Sequence, residues 1–360
     1  MTQPVLSPRA LNRAVLARQL LLERAELPVR EALEQVAGLQ AQYAPSAYIG
    51  LWSRLRAFRR DDLTVALQQR HAVQATLMRA TIHVVSAGDF PPLAAAVRRA
   101  RLEWWRRTAP ARELSDADVA ALADTVRASL AAGPRRRAEL VAALEQAGFD
   151  RALWGAAGLA VDLVRVPPSG TWERRRADLY GLAADWLDPH EALDPDAGES
   201  EAVEHAGLQH LVARYLGAFG PASPADVVSW AGVPVGRLRP VLDDMELRRF
   251  RDEAGGELLD VPDGLLPDAD TVAPVRFLPT WDATLLVHAR RAGILPEEHR
   301  PRVFSTRNPH STPTFLVDGK VAGTWRVQDG RMQLEPFGGL APADRAALEE
   351  EGEALVAFHA

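Results

Sequence analysis

Two stretches of this chain follow one plan, and that recurrence limits what it can fold into. Residues 115–163, "SDADVAALADTVRASLAAGPRRRAELVAALEQAGFDRALWGAAGLAVDL", read as helix, Gly-Pro break, helix, turn, helix. Residues 164–187, "VRVPPSGTWERRRADLYGLAADWL", follow with a Pro-Ser-Gly turn that suits a β-hairpin. The plan returns in "AGLQHLVARYLGAFGPASPADVVSWAGVPVGRLRPVLDDM" (206–245), and "LRRFRDEAGGELLDVP" (247–262) supplies a hairpin around Gly255 and Gly256. The breaks match as well, "AGPRRRAEL" in one and "FGPASPADV" in the other. Three helices and a two-stranded wing make a winged helix, and the interval predicts tandem winged helices rather than a solenoid.

The N-terminal part fits the plan with extra helices. In "SPRALNRAVLARQLLLERAE", Leu11, Val15, Ala17, Leu20, Leu21 and Leu22 fall roughly on one stripe, and Ser7 with Pro8 forms a cap and first-turn pair. "PVREALEQVAGL", "AYIGLWSRLRAF" and "RDDLTVALQQR" read as three more helices. At "VQATLMRATIHVVSAGDF" the period changes to alternation, with Arg79, Thr81 and His83 expected along one strand face. From about 275 the chain reads as short strands and tight turns, with Asp318-Gly319 and Asp329-Gly330 as hairpin signals. The expected fold is mainly α with α+β character: three tandem winged-helix units and a small β-barrel-like region. The boundaries read 1–110, 111–187 and 205–272 for the three units, with an acidic linker at 188–204. The barrel-like region occupies 273–360 and ends in a helix over 341–358.

Composition narrows the function classes. The chain has 360 residues, 47% of them hydrophobic, enough for two or three domains with sizeable cores. The lack of cysteine excludes disulfides and thiolate zinc sites. Arginines interrupt the apolar run at the N-terminus, unlike a signal peptide, and no run approaches the ~18 apolar residues of a membrane span. A soluble, cytoplasmic, monomeric protein is the expectation. The net charge of −6 argues weakly against nucleic-acid binding. The positive charge is nonetheless segregated: Arg98, Arg99, Arg101, Arg106 and Arg107; Arg135 to Arg137; Arg174 to Arg176; Arg290 and Arg291. Each run alone reads as a solvated helix face, whereas several on one chain fit a groove that follows phosphates. His288, His299 and His310 lack metal-ligand spacing, and no nucleophile elbow, P-loop or dinucleotide fingerprint occurs, so no metal or cofactor is expected.

One short element stands apart. In "GLQAQYAP" (38–45), Gly38 weakens a helix before the two glutamines and Pro45 disfavours one after them. On a helix, Gln40 and Gln42 point apart; in an extended segment they share a face and their carboxamides converge. The plain alternative is two solvated glutamines at a fraying helix end. His83 is open to reading as a hydrogen-bonded wing residue or a DNA contact. Trp104 and Trp105 read as base-stacking or core residues, and Trp172 as a wing tip or an inner hairpin residue.

Taken together, "GLQAQ", "RATIHVV" and the late block "FLPTWDATLLVHARR…VAGTWR" make the chain resemble the AlkZ/YcaQ-like DNA glycosylases, a family of winged-helix DNA-binding proteins, from about residue 8 to the C-terminal helix. Its Gln-Ala-Gln motif is similar to the AlkZ branch, which carries Gln, an aliphatic residue, then Gln. That branch excises bulky N7-alkylguanine adducts and interstrand crosslinks made by natural-product genotoxins. The resemblance implies Gln40 and Gln42 as the catalytic pair, alkylated double-stranded DNA as partner, and a C-shaped array whose concave face takes the duplex. DNA contacts are expected from Arg79, Thr81, His83, Arg106, Arg107, Arg174 and Arg175, with His288, Arg290 and Arg291 probing a groove near the lesion. Two alternatives from other classes stay open: a non-catalytic winged-helix DNA-binding protein, and an interaction scaffold that has lost DNA binding.

Overall fold

The computed structural model describes residues 3–107, 114–187, 200–286, 293–305 and 310–360. In chain order the elements begin β1 (Val5–Leu6), α1 (Pro8–Arg18), α2 (Val29–Gln35), β2 (Leu39–Gln40), α3 (Pro45–Trp52), α4 (Arg60–Gln68), β3 (Ala72–Thr76), β4 (Ile82–Ser86) and α5 (Phe90–Arg106). Then come α6 (Asp116–Leu130), β5 (Arg135–Arg136), α7 (Arg137–Gln146), α8 (Trp154–Ala160), β6 (Leu163–Arg165), β7 (Leu179–Leu182) and α9 (Ala183–Trp186). Next are α10 (Glu201–Phe219), α11 (Pro224–Ala231), α12 (Val235–Asp244), β8 (Arg248–Asp252), β9 (Glu257–Asp260) and β10 (Arg276–Leu278). The chain ends with α13 (Arg300–Val303), β11 (Phe304–Ser305), β12 (His310–Ser311), β13 (Thr314–Val317), β14 (Lys320–Gln328), β15 (Arg331–Pro336) and α14 (Pro342–His359). These make two compact units. Among the described residues no helix is long and apolar enough to cross a membrane.

The first unit is assembled from residues 1–63, 213–230 and 246–360. Helix α1 starts as its sequence dictates: Ser7 is the cap, its hydroxyl accepts from Ala10 N at 3.2 Å, and Pro8 takes the first turn. Strands β10, β13, β14 and β15 form an antiparallel sheet in that order. Both Asp-Gly pairs make the hairpin turns between them, with positive φ at Asp318, Gly319, Asp329 and Gly330. The order is linear, so this sheet is open where a barrel was expected. Helix α14 supplies the cover that closure would have given, with Leu348, Gly352 and Leu355 buried. Inside, Phe277 meets Trp325 edge to face at 5.7 Å, and the Trp325 indole donates to Leu278 O at 2.9 Å. The hairpin β8–β9 pairs antiparallel, and β1 adds to it in parallel.

The first unit is riveted by buried arginines. Arg18 forms a bidentate pair with Asp260, at 2.6 and 2.9 Å, and also donates to Leu216 O. Arg13 donates to Asp318 and to Asn12 Oδ1, fixing the Asp318-Gly319 turn against α1. The Arg18–Asp260 charges, both buried, are tolerated only because they are paired, and removing one partner of such a pair costs about 3–5 kcal/mol.

The second unit comprises residues 64–212 and 231–245. Its strands run β4-β3-β6-β7-β5, all antiparallel. Helices α6, α7 and α8 pack on this sheet around Leu122, Val126, Leu140, Leu144, Leu163 and Tyr180. Ser115 and Asp118 make a reciprocal capping box that starts α6. Trp105 lies in this core, whereas its neighbour Trp104 is 54% exposed, so the pair divides between packing and surface. Trp172 is buried, the inner-residue reading of that hairpin.

His83 on β4 is 3% exposed, and its Nδ1 lies 3.0 Å from the carbonyl oxygen of Thr81, so that nitrogen carries the proton. Burial, aided by the charge of Arg79, pushes the imidazole down to about 3. A depressed histidine binds fewer protons folded than unfolded, so its contribution to stability is complete above about pH 6.5 and is lost as pH falls towards 3. Urea denaturation of the protein should therefore lose about 1.4 kcal/mol per pH unit from this residue below pH 6.5. His83→Leu should show a correspondingly shallower fall between pH 7 and pH 5, as measured by the change in unfolding free energy.

Candidate functional site

The Gln40–Gln42 element is shaped by how α2 ends. Ala37 and Gly38 both take left-handed backbone, with φ of 59° and 75°, and Gly38 N closes back on Leu33 O at 2.8 Å. The chain reverses there and enters β2 at Leu39. Gln40 ends this strand, Ala41 lies outside regular structure, and the backbone bends at Gln42 and Tyr43 before α3. Pro45 does not hold off a helix as expected. It opens α3, because its ring pre-sets helical φ and its missing N–H falls where no helical partner exists. The two glutamines thus sit in a non-helical hinge. Gln40 is 7% exposed, while Gln42 and the adjacent Tyr43 are exposed. One carboxamide is held in the protein body and the other stands at its surface.

Three anchors hold this hinge, all within the first unit. Behind it, Gln19 donates from Nε2 to Val36 O at 3.2 Å, the carbonyl at the end of α2. Ahead of it, the Ser46 hydroxyl in the first turn of α3 meets the Thr280 hydroxyl at 2.9 Å. At the far end of α3, the Ser53 hydroxyl donates to Phe277 O at 2.5 Å. Arg54 joins these supports. Its guanidinium donates to both oxygens of Asp282 at 3.0 and 3.1 Å, to Gly50 O at 3.0 Å and to Gln19 Oε1 at 3.2 Å. Asp282 in turn accepts from Thr284 N and Oγ1. Between Thr280 and Asp282, Trp281 takes φ of 62°, a conformation bulky side chains adopt only under constraint. The later block "FLPTWDATLL" is therefore bonded to α3 and its C-terminal end, the helix that follows "GLQAQ" directly. Sequence reasoning named neither Gln19, Arg54 nor Asp282, since their partners lie 35 and 228 residues apart.

The candidate DNA contacts are placed unevenly. Thr81 precedes β4, and Arg79 is not on a strand with His83 either. It lies in the β3–β4 turn with φ of 54°, half-buried, its guanidinium pushed by burial down to about 10. Thr81 spends its hydroxyl on Met78 O at 3.0 Å, and His83 is interior. Arg106 pairs with Asp116 at 2.5 Å, and Arg107 is exposed at the end of α5. Arg174 and Arg175 are exposed on the β6–β7 connection, with Arg175 5.9 Å over the Trp172 ring. His288, Arg290 and Arg291 lie outside the described residues, as do positions 188–199 of the acidic linker.

Comparison with known proteins meets this geometry from a different direction. No curated protein matches the sequence. Among solved structures, the Streptomyces sahachiroi DNA glycosylase AlkZ superposes with a TM-score of 0.80, covering 99% of this chain and 97% of its own at 20% identity, a likeness of fold. The sequence model of the family described as "DNA glycosylase AlkZ-like" matches residues 33–358, which span the hinge, the β10-β13-β14-β15 sheet, the sheet of the second unit and nearly all of α14. This chain belongs to the AlkZ-like DNA glycosylase family.

Proposed function

We propose that the protein is a monofunctional DNA glycosylase that hydrolyses the N-glycosidic bond of N7-alkylated purine nucleotides in duplex DNA, with Gln40 and Gln42 as its catalytic pair. The observation that carries this reading is the anchored hinge, which presents one buried and one exposed carboxamide two residues apart. A carboxamide does not ionise near neutrality and is no general base. An ordinary neutral base would leave poorly from such a site. An N7-alkylpurine already carries positive charge and departs as a neutral base without an acid. What remains is to hold a water below C1′ and to face the oxocarbenium-like sugar with an oxygen dipole, tasks of positioning and fixed electrostatics. Gln40, held in the body, takes the dipole role; Gln42, at the surface, orients the water. No lysine lies near the motif to form a Schiff base, so the enzyme leaves an abasic site without lyase cleavage.

The duplex is bound by winged-helix units in this reading. Support comes from the order α6, β5, α7, α8, β6, β7 in the second unit, with β5, β7 and β6 adjacent, and from the exposed Arg174 and Arg175 on the β6–β7 connection. An open binding face also suits bulky adducts and crosslinks, which resist rotation into a closed pocket.

Three outcomes test the reading. On duplexes with one N7-methylguanine or one bulky N7-guanine adduct, the protein excises the base, and Gln40→Ala/Gln42→Ala loses about 100-fold or more in single-turnover rate while retaining DNA affinity. Excision by neither substrate with tight binding supports a non-catalytic DNA-binding protein instead. Because carboxamides do not titrate and His83 stays neutral, the rate varies by less than about threefold between pH 5.5 and 8.5, where a carboxylate or histidine base would give a titration curve. In fluorescence anisotropy, Arg174→Ala and Arg175→Ala each lower the salt slope of duplex binding by about 0.9.

A further inference from the structure

We infer that Gln19, Arg54 and Asp282 are positioning residues that set the geometry of the Gln40–Gln42 hinge. The inference rests on the placement of the chemistry at those two glutamines. All three are buried: Gln19 and Arg54 are 0% exposed and Asp282 is 4% exposed. Burial alone would make them structural, but their bonds form one chain, Asp282 to Arg54 to Gln19, that ends at Val36 beside the hinge, with Gln19 Nε2 also donating to Ala218 O at 3.2 Å. Gln19 holds the last carbonyl of α2 before the left-handed turn that launches β2. Arg54 holds Gln19 with Nη2 and the α3 carbonyl of Gly50 with Nη1. Leu39, the residue before Gln40, packs on that same glycine: a methyl group added at Gly50 would come within 3.3 Å of Leu39 Cδ1. Asp282 fixes Arg54 from the other side, and two residues earlier Thr280 meets Ser46 at the start of α3.

The segment from Val36 to Ser46 is thus held before, beneath and after the glutamines, and one guanidinium connects the supports. Lysine cannot reproduce this. An ammonium reaches Asp282 or Gln19 but lacks the planar fork that serves Asp282, Gly50 and Gln19 at once. Positioning catalysis is steeply sensitive to such slack, since a displacement of about 1 Å can cost about 100-fold.

The experiment compares Arg54→Lys with Arg13→Lys. Arg13 is equally buried and equally multidentate, binding Asn12, Thr271 and Asp318, but it touches no part of the hinge. Single-turnover excision of N7-methylguanine, duplex affinity and Tm are measured for both, at a temperature well below either Tm. Arg54→Lys is expected to lose about 10- to 100-fold in excision rate with duplex affinity unchanged, while Arg13→Lys keeps the wild-type rate. Gln19→Met, which retains volume and removes the bonds to Val36, Arg54 and Ala218, should repeat the loss and serves if Arg54→Lys does not fold. Equal rates for the Arg54, Gln19 and Arg13 variants would overturn the positioning role. A wild-type protein that excises no alkylated base overturns the catalytic assignment itself, so the two failures are told apart.

Discussion

The Arg54–Asp282 pair is the interaction on which the part of the first unit around the glutamine hinge depends. An ion pair at 0% and 1% side-chain exposure pays a desolvation cost that Coulomb attraction alone does not offset. The offset comes from saturation. Both carboxylate oxygens accept from the guanidinium, Thr284 adds two donors, and Gly50 O and Gln19 Oε1 take the remaining Nη hydrogens. Of the guanidinium nitrogens of Arg54, Nε alone has no partner among the described residues. A charge this well surrounded has one low-energy arrangement, and the elements carrying its partners inherit that uniqueness: the end of α1, the body of α3 and the Trp281 turn. An apolar core of equal volume would hold the same elements together but would leave them freer to slide.

The same economy of charge explains how an acidic chain belongs to a family of DNA enzymes. Much of its arginine is already engaged. Arg98 pairs with Asp162, Arg106 with Asp116, Arg136 and Arg176 with Asp178, and Arg237 bridges Glu103 and Glu204. These groups shape the second unit and neutralise one another locally. Clusters counted along the sequence therefore overstate the charge available to a phosphate. Arg174 differs: it is exposed and makes no ion pair among the described residues. In a chain of net charge −6, such local positive points rather than the total decide where a polyanion lands.

What could be read from the sequence follows from range of interaction. Local chemistry was legible. The Ser7–Pro8 start of α1, the Asp318-Gly319 and Asp329-Gly330 turns, the hairpin around Gly255 and the C-terminal helix all appear where local rules put them. The Gln-Ala-Gln segment is non-helical, as its flanking glycine predicts, although Pro45 starts the next helix instead of preventing it. Illegible were features set by distant partners. Nothing local marks Arg54 in "SRLRAF" as buried, or separates it from the solvated Arg56 two residues on. The left-handed turn at Arg79 broke an alternation that looked like one strand face. Hairpin signals suggest a barrel-like region here but report only neighbouring strands and say nothing about whether the edges meet, and among the described strands they do not.

The first unit's three-part construction has a consequence for how the protein is made. Its N-terminal segment contains Arg13, Arg18 and Arg54, whose partners Asp318, Asp260 and Asp282 come 305, 242 and 228 residues later. At translation rates of about 5–20 residues per second, these arginines wait on the order of tens of seconds for their counter-charges. Residues 64–212, by contrast, leave the ribosome as one continuous stretch. The buried bonds around Arg54 are complete only when synthesis has passed residue 282, so a nascent chain carries the glutamine motif long before it carries those bonds.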